Sequence, residues 1–450
     1  MKIGLGHPLV LAFVLFTAPV AAQQDEATDV RRHSRTVVLG GLSGVPPTAI
    51  EYALSQLHGR RQTDIVPTLI LALRYNRQAA EPLVAVLSAM TGETEARTWF
   101  DWMLWQEAHP EIAPHPSFPK IKHELLTSLD PNFGRFIPLG PDAAIRVEEV
   151  VWGGVAVDGI PALTNPAMIP AAEADYLIPG ELVFGIEIGG DARAYPLRIL
   201  DWHEMLNDVI GGVPVSLAYC TLCGAGILFE TAMDDGEEPF TFGSSGLLYR
   251  SNKLMFDRQT GSLWNQFTGR PVSGPLAAED IELPIRPVEI TSWRDWAGRH
   301  PETTVLSLDT GHARDYAPGA AYAHYFNSPD LMFPALAEDA GGPLKDYVFG
   351  IRTAGGAKAW PLKNFRDGSV VNDTVGLVDV VLIGREMTRT VRAYRRDGRT
   401  FEPGREPETL LSGGETWRVG DDALTGPGGE KLPRVAGHVA FRFAWAAFVQ

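Results

Sequence analysis

Cysteine is almost missing from this chain: 450 residues carry two, Cys220 and Cys223, both inside "AYCTLCGAG". That excludes a small scaffold stapled by several disulfides. Basic residues are outnumbered, 39 Lys and Arg against 55 Asp and Glu, for a formal charge of −16. Such a balance argues against nucleic acid and anionic membrane surfaces as partners. No uncharged apolar run reaches the roughly 20 residues of a membrane span, so none is expected. What the chain does have is 45% apolar residues, enough to bury, and a length that implies two or three domains.

The opening "MKIGLGHPLVLAFVLFTAPVAAQQ" pairs Lys2 with a short apolar run and small residues at Val20 and Ala22. This is the pattern of a signal peptide over 1–22, which predicts a periplasmic or secreted protein. Residues 23–45 are polar and read as a linker. Apolar segments with turn residues between them follow, from Thr48, Asp64 and Ala79, then "WFDWMLWQEA" and "IKHELLTSL". They predict a helical domain over 46–142, its short helices stacked in HEAT-like pairs, with Trp99, Trp102 and Trp105 on a core face. The texture then changes to short β-rich runs punctuated by glycine and proline: "ELVFGIEI", "ARAYPL", "VPVSLAYC", "GILFE" and "SLWNQF".

Those runs repeat. Positions 183–217 set against 348–382, an offset of 348 − 183 = 165, share 15 identities in 35 ungapped positions. The expected fold class is therefore α+β: an N-terminal short-helix domain followed by a duplicated β-rich module, one copy over 143–310 and the second over 311–450. Residues present in both copies, such as Pro196 and Pro361 or Asn207-Asp208 and Asn372-Asp373, are assigned to the scaffold, the Asn-Asp pairs as turns into the next strand. Residues present in one copy are freed from that role. At the same offset His203 faces Gly368, Glu204 faces Ser369, Cys220 faces Arg385 and Cys223 faces Thr388.

Two cysteines separated by two residues and followed by glycine form a knuckle whose thiolates bind soft metals. With His203 they would make a Cys₂His transition-metal centre, zinc or copper, and Met255 as a thioether ligand would tilt it to copper. Glu204 and His438 are alternatives for the same fourth position, which could also stand open to substrate, although a strand-start histidine with its hydrogen bonds satisfied is the plainer account of His438. Glu204 is otherwise expected as a partner of the metal ligands or a general base, and Arg258 or Gln266 as substrate-orienting groups. The stretch 242–276, with Ser244, Ser245, Tyr249, Asn252, Asp257, Arg258, Trp264 and Gln266, mixes polar and aromatic residues as a ligand pocket does.

Taken together, "WHEMLND", "YCTLCGAG", "FGSSGLLYRSNKLMFDRQTGSLWNQ" and "GRPVSGPL" resemble the domain of unknown function 3179 family of exported bacterial and archaeal proteins, from about Val150 onward. The resemblance implies that His203, Cys220 and Cys223 belong together, and it implies no activity. Thr221 stands where that family usually has proline. The sequence thus predicts an exported metalloenzyme acting on an unknown small molecule or peptide. Its rivals are a periplasmic thiol–disulfide oxidoreductase working through Cys220 and Cys223, and a non-catalytic metal-binding or scaffold protein whose helical domain holds a protein partner.

Overall fold

The computed structural model describes residues 18–137, 143–233, 238–337 and 341–449. The predicted signal peptide falls mostly outside the described residues, as does the boundary expected near Pro141. The chain separates into two compact units, 1–99 with 111–121 and 100–110 with 122–450. Helices occupy the N-terminal part and strands dominate the rest, so the coarse α+β expectation is met.

In the first unit, helices Pro47–Gly59, Val66–Tyr75 and Ala80–Thr91 bury Leu54, Leu57, Leu69, Ile70, Leu83 and Leu87. Gly92, at φ +82, ends the last of them in the left-handed conformation that favours glycine. The expected linker over 23–45 is corrected by the structure: most of it belongs to a helix, Ala18–Ser43. Val30, His33, Ser34, Val37 and Val38 are buried there at helical spacing. Two polar residues sit on that buried stripe and mask its period. The helical region also divides differently from the expected 46–142. From Phe100 onward the helix Trp99–Ala108 belongs to the second unit, where Trp102, Gln106 and Glu107 are buried and Arg146 donates to the Gln106 carbonyl.

The second unit holds two runs with one order of elements. Strands Leu182–Ile188 and Asp191–Pro196, helix Leu197–His203, strands Met205–Ile210 and Val213–Cys220, the 3₁₀ turn Thr221–Cys223 and strand Ala225–Glu230 make the first. Strands Tyr347–Thr353 and Gly356–Pro361, 3₁₀ helix Leu362–Gly368, strands Val370–Val375 and Val378–Arg385, the turn Glu386–Thr388 and strand Thr390–Arg395 make the second. In each run the first strand also pairs with a distant one, Glu289–Ser292 or His438–Phe441, that leads into a short helix. The helix returns a tryptophan to a glycine of that first strand. A Cβ on Gly185 would lie 2.3 Å from Trp296 and one on Gly350 only 1.9 Å from Trp445, so both positions need the bare backbone. One apolar core spans both runs, with Phe184, Tyr195 and Leu217 beside Phe349, Trp360 and Leu382.

The Asn-Asp pairs do not start turns, as expected from sequence, but lie within strands Met205–Ile210 and Val370–Val375. Asn207 donates to the Phe242 carbonyl (3.0 Å) and accepts from its amide (2.8 Å), and Asn372 does the same with Phe401 at 2.8 and 2.9 Å. Asp208 accepts from Tyr195 and Arg193, and Asp373 from Trp360 and Lys358. Each pair ties its own run together and then clamps the segment that enters the strand after that run.

Candidate functional site

Cys220 is the last residue of strand Val213–Cys220 and faces Ala225 across an antiparallel ladder, so the CxxC motif is the tip of a hairpin. Gly224 closes it at φ +57, and a Cβ there would lie 2.8 Å from the Tyr347 ring. Conformation and close approach both demand glycine. The two sulfurs are buried and 2.9 Å apart, with Cys220 Sγ donating to Cys223 Sγ.

A second hairpin supplies the groups that touch them. Strands Phe242–Tyr249 and Asn252–Asp257 are joined by Arg250 and Ser251 alone, at φ +48 and +59. This is the two-residue turn that matches strand twist, made here without glycine and therefore strained. Arg250 is pinned by the buried Glu149 carboxylate at 2.7 Å, which helps hold the turn. As a result the Ser251 carbonyl lies 3.4 Å from Cys223 Sγ and Asn252 Nδ2 donates to the same sulfur at 3.2 Å. Gln266 accepts from Asn252 Nδ2 (2.8 Å) and donates to the carbonyls of Ala218 (2.8 Å) and Ala225 (3.3 Å), bracing the stem of the cysteine hairpin.

Glu204 reaches the loop from the other side. It follows helix Leu197–His203 at φ +56, and its carboxylate accepts from Thr221 Oγ1 at 3.0 Å while the Lys253 ammonium stands 3.1 Å away as a buried ion pair. The Thr221 hydroxyl thus anchors the loop. Burial, then the neighbouring Cys220, pushes the Cys223 thiol well above its ordinary range, so it is protonated at neutral pH in this closed arrangement.

His203 stands elsewhere. Its Nδ1 donates to the Pro161 carbonyl at 2.8 Å and its Nε2 accepts from the Tyr316 hydroxyl, so both ring nitrogens are engaged. Burial lowers its pKa to about 4, which keeps the ring neutral. Among the described residues no group of three or more His, Cys, Asp or Glu side chains is placed to hold a metal ion. Met255 lies in an apolar cluster with Met205, Ala218, Phe242 and Trp264. Arg258 is at the far end of its strand from Asn252, paired with Asp158 through two bonds of 2.9 Å on a partly exposed edge. Of the predicted set, the structure links Cys220, Cys223, Glu204 and Gln266 through hydrogen bonds, gives both His203 ring nitrogens other partners, packs Met255 in an apolar cluster and pairs Arg258 with Asp158.

The remaining residues of 242–276 mostly serve the hairpins: Asp257 accepts from Trp264 Nε1 (2.8 Å), and Ser245 bonds the Leu254 carbonyl. His438 is buried and Nε2 has no hydrogen-bond partner among the described residues, which corrects the expectation of a satisfied histidine; burial lowers its pKa to about 3. Three tyrosines escaped the sequence reading. Tyr325 donates to the Leu222 carbonyl at 2.7 Å, Tyr322 bonds Thr221, and Tyr316 bonds His203. The segment carrying them, "YAPGAAYAHYF", covers the cysteine loop, and aromatic residues spaced through a Gly/Ala-rich stretch were the available signal.

Residues 157–450 match the family described as protein of unknown function (DUF3179). No curated protein and no solved structure matches the chain.

Proposed function

The chain belongs to the DUF3179 family, and from that premise we propose that Cys220 and Cys223 act as a dithiol–disulfide couple in an exported thiol oxidoreductase. The observation that carries this reading is a pair of sulfurs 2.9 Å apart whose other polar neighbours are an amide and a carbonyl. In the oxidising direction a substrate thiolate attacks one sulfur of the Cys220–Cys223 disulfide, forming a mixed disulfide and releasing the other as thiolate, which takes a proton. A second substrate thiolate then displaces the bound cysteine. The substrate loses two electrons and two protons and gains one S–S bond, the protein is left with two thiols, and a second disulfide compound restores it. Glu204, Thr221, Asn252 and Gln266 position the loop and do not touch substrate. Because the thiols are buried beneath Leu222 and the tyrosine segment, exchange requires that cover to open.

A transition metal, zinc or copper, held by the same two sulfurs is the second reading, favoured by Ser251 Oγ and Asn252 Oδ1. These buried oxygens have no hydrogen-bond partner among the described residues and belong to the residues that touch Cys223. His203 would have to release Pro161 or Tyr316 to join such a site. One experiment separates the readings: thiol counting with and without reductant, together with elemental analysis, on the full chain and on Cys220→Ala. Two thiols appearing only after reduction support the couple; stoichiometric metal lost in the variant sinks it in favour of the metal.

We further read the two runs of the second unit as copies of one module, supported by their 165-residue offset in both sequence and element bounds. The HEAT-like stacking of the N-terminal helices and a signal peptide with periplasmic or secreted localisation remain parts of the same proposal.

A further inference from the structure

The second run carries its own cleft, of about 380 Å³ and open to solvent, where helix Trp293–Arg299 faces strands Val378–Arg385 and Thr390–Arg395. Arg385 and Gly368 line it, the residues that stand 165 positions after Cys220 and His203. Its chemistry is that of guanidinium groups rather than sulfur. Arg294, exposed at the mouth, has no ion-pair partner among the described residues, and Arg385 approaches only Asp295, at 3.6 Å.

The floor is Arg392, whose side chain is 7% exposed. It pairs with Glu408, which also lines the cleft, while its buried Nε faces the Glu289 carboxylate 3.5 Å away. That Glu289 carboxylate is shared by three guanidinium groups, those of Arg299, Arg392 and Arg434. Burial and then the nearby Arg392 lower the Arg299 pKa, as crowded cations do. Glu406 and Glu408 lie at the rim and compete for these donors. In a chain of formal charge −16, a concave site with an unpaired guanidinium at its mouth and further planar donors along its wall and floor selects for oxyanions. The volume lies in the range of small-molecule sites.

We propose that this cleft binds a small organic anion through a carboxylate or phosphate group, received by Arg385 and Arg294 at the mouth, with the Arg392 guanidinium at the floor shared between the anion and Glu408. The proposal is independent of the cysteine chemistry. It is tested by isothermal titration of the full chain with inorganic phosphate and with malonate at matched ionic strength, with chloride as the reference. Saturable binding of either probe is expected, and which one binds tells phosphate from carboxylate. Arg294→Ala and Arg385→Ala, both at exposed positions, should each weaken it roughly tenfold, the value of one charge-assisted hydrogen bond. Glu408→Gln, which frees Arg392, should tighten it. If neither probe exceeds chloride, if the Arg294→Ala/Arg385→Ala double variant binds as the parent does, or if Glu408→Gln fails to strengthen binding, the assignment is wrong.

Discussion

Two segments of one protein, 182–230 and 347–395, place the same elements in the same order and end the same hairpin in different chemistry. In the first, the loop carries two thiols packed against Asn252 and closed over by tyrosines. In the second, the equivalent turn carries Arg385 and Thr388, with Met387 90% exposed between them, and a cleft open to solvent lies alongside. The shared features are those that hold strands to one another: a tryptophan against a glycine, an asparagine bridging to the segment that follows the run, an aspartate under an aromatic donor. The hairpin tip is free of those duties, because its side chains point beyond the ladder. Chemistry can therefore change there without loss of the fold.

The contrast breaks most sharply at the cysteines. Replacing either Cys220 or Cys223 by serine should abolish the interconversion of oxidised and reduced forms altogether, as read by thiol titration across a glutathione redox series; persistence of a two-electron transition in either variant would falsify the couple. Next come the asparagine clamps. Asn207→Ala strips both Phe242 backbone groups of their partners in a fully packed setting and should cost about 3 kcal/mol in denaturant unfolding. Asn372, half-buried, should cost about 1 kcal/mol for the same deletion. Equal losses would mean that the two clamps are not graded by burial. Gly185→Ala and Gly350→Ala should each destabilise by about 2 kcal/mol through overpacking against tryptophan, and here the two segments are expected to agree.

The remaining effects are in pH dependence, and they sharpen the comparison because both groups belong to the first segment alone. His203 has its pKa lowered to about 4 by burial, so as pH falls from about 6.5 the unfolded chain takes the proton first and stability declines toward pH 4. Asp201 runs the other way: burial raises it to about 7, the folded chain keeps its proton longer, and stability declines as pH rises from about 4 to 7. Thermal midpoints of His203→Asn and Asp201→Asn across pH 4–7.5 should each lose one of these slopes. A parent slope kept intact by its own variant would assign that titration to another group.

Much of this architecture was legible beforehand. Helices from Thr48, Asp64 and Ala79 have periods that propensity and spacing reveal, and the strands "ELVFGIEI" and "VPVSLAYC" lie within a residue of Leu182–Ile188 and Val213–Cys220. The helix Ala18–Ser43 was not legible, since His33 and Ser34 occupy its buried face. At the site, the cysteines, Glu204 and Gln266 were found because they are absent from the other segment or belong to a polar stretch. Asn252 was only one of several such residues, and the strained Arg250-Ser251 turn that aims it gives no pattern that a period or motif search detects.

Local covalent order by itself determined the two thiols' proximity, the glycine that closes their loop, and the strand sequence on either side, because these depend on neighbours within a few residues. Whether His203 joined the sulfurs was a question about contacts 17 and 20 residues apart along the chain. Only the folded chain decided it, by giving both ring nitrogens to Pro161 and Tyr316, at separations of 42 and 113 residues. A hydrogen-bonding side chain settles on whichever partners the packed backbone brings within about 3 Å, and that competition cannot be read from spacing.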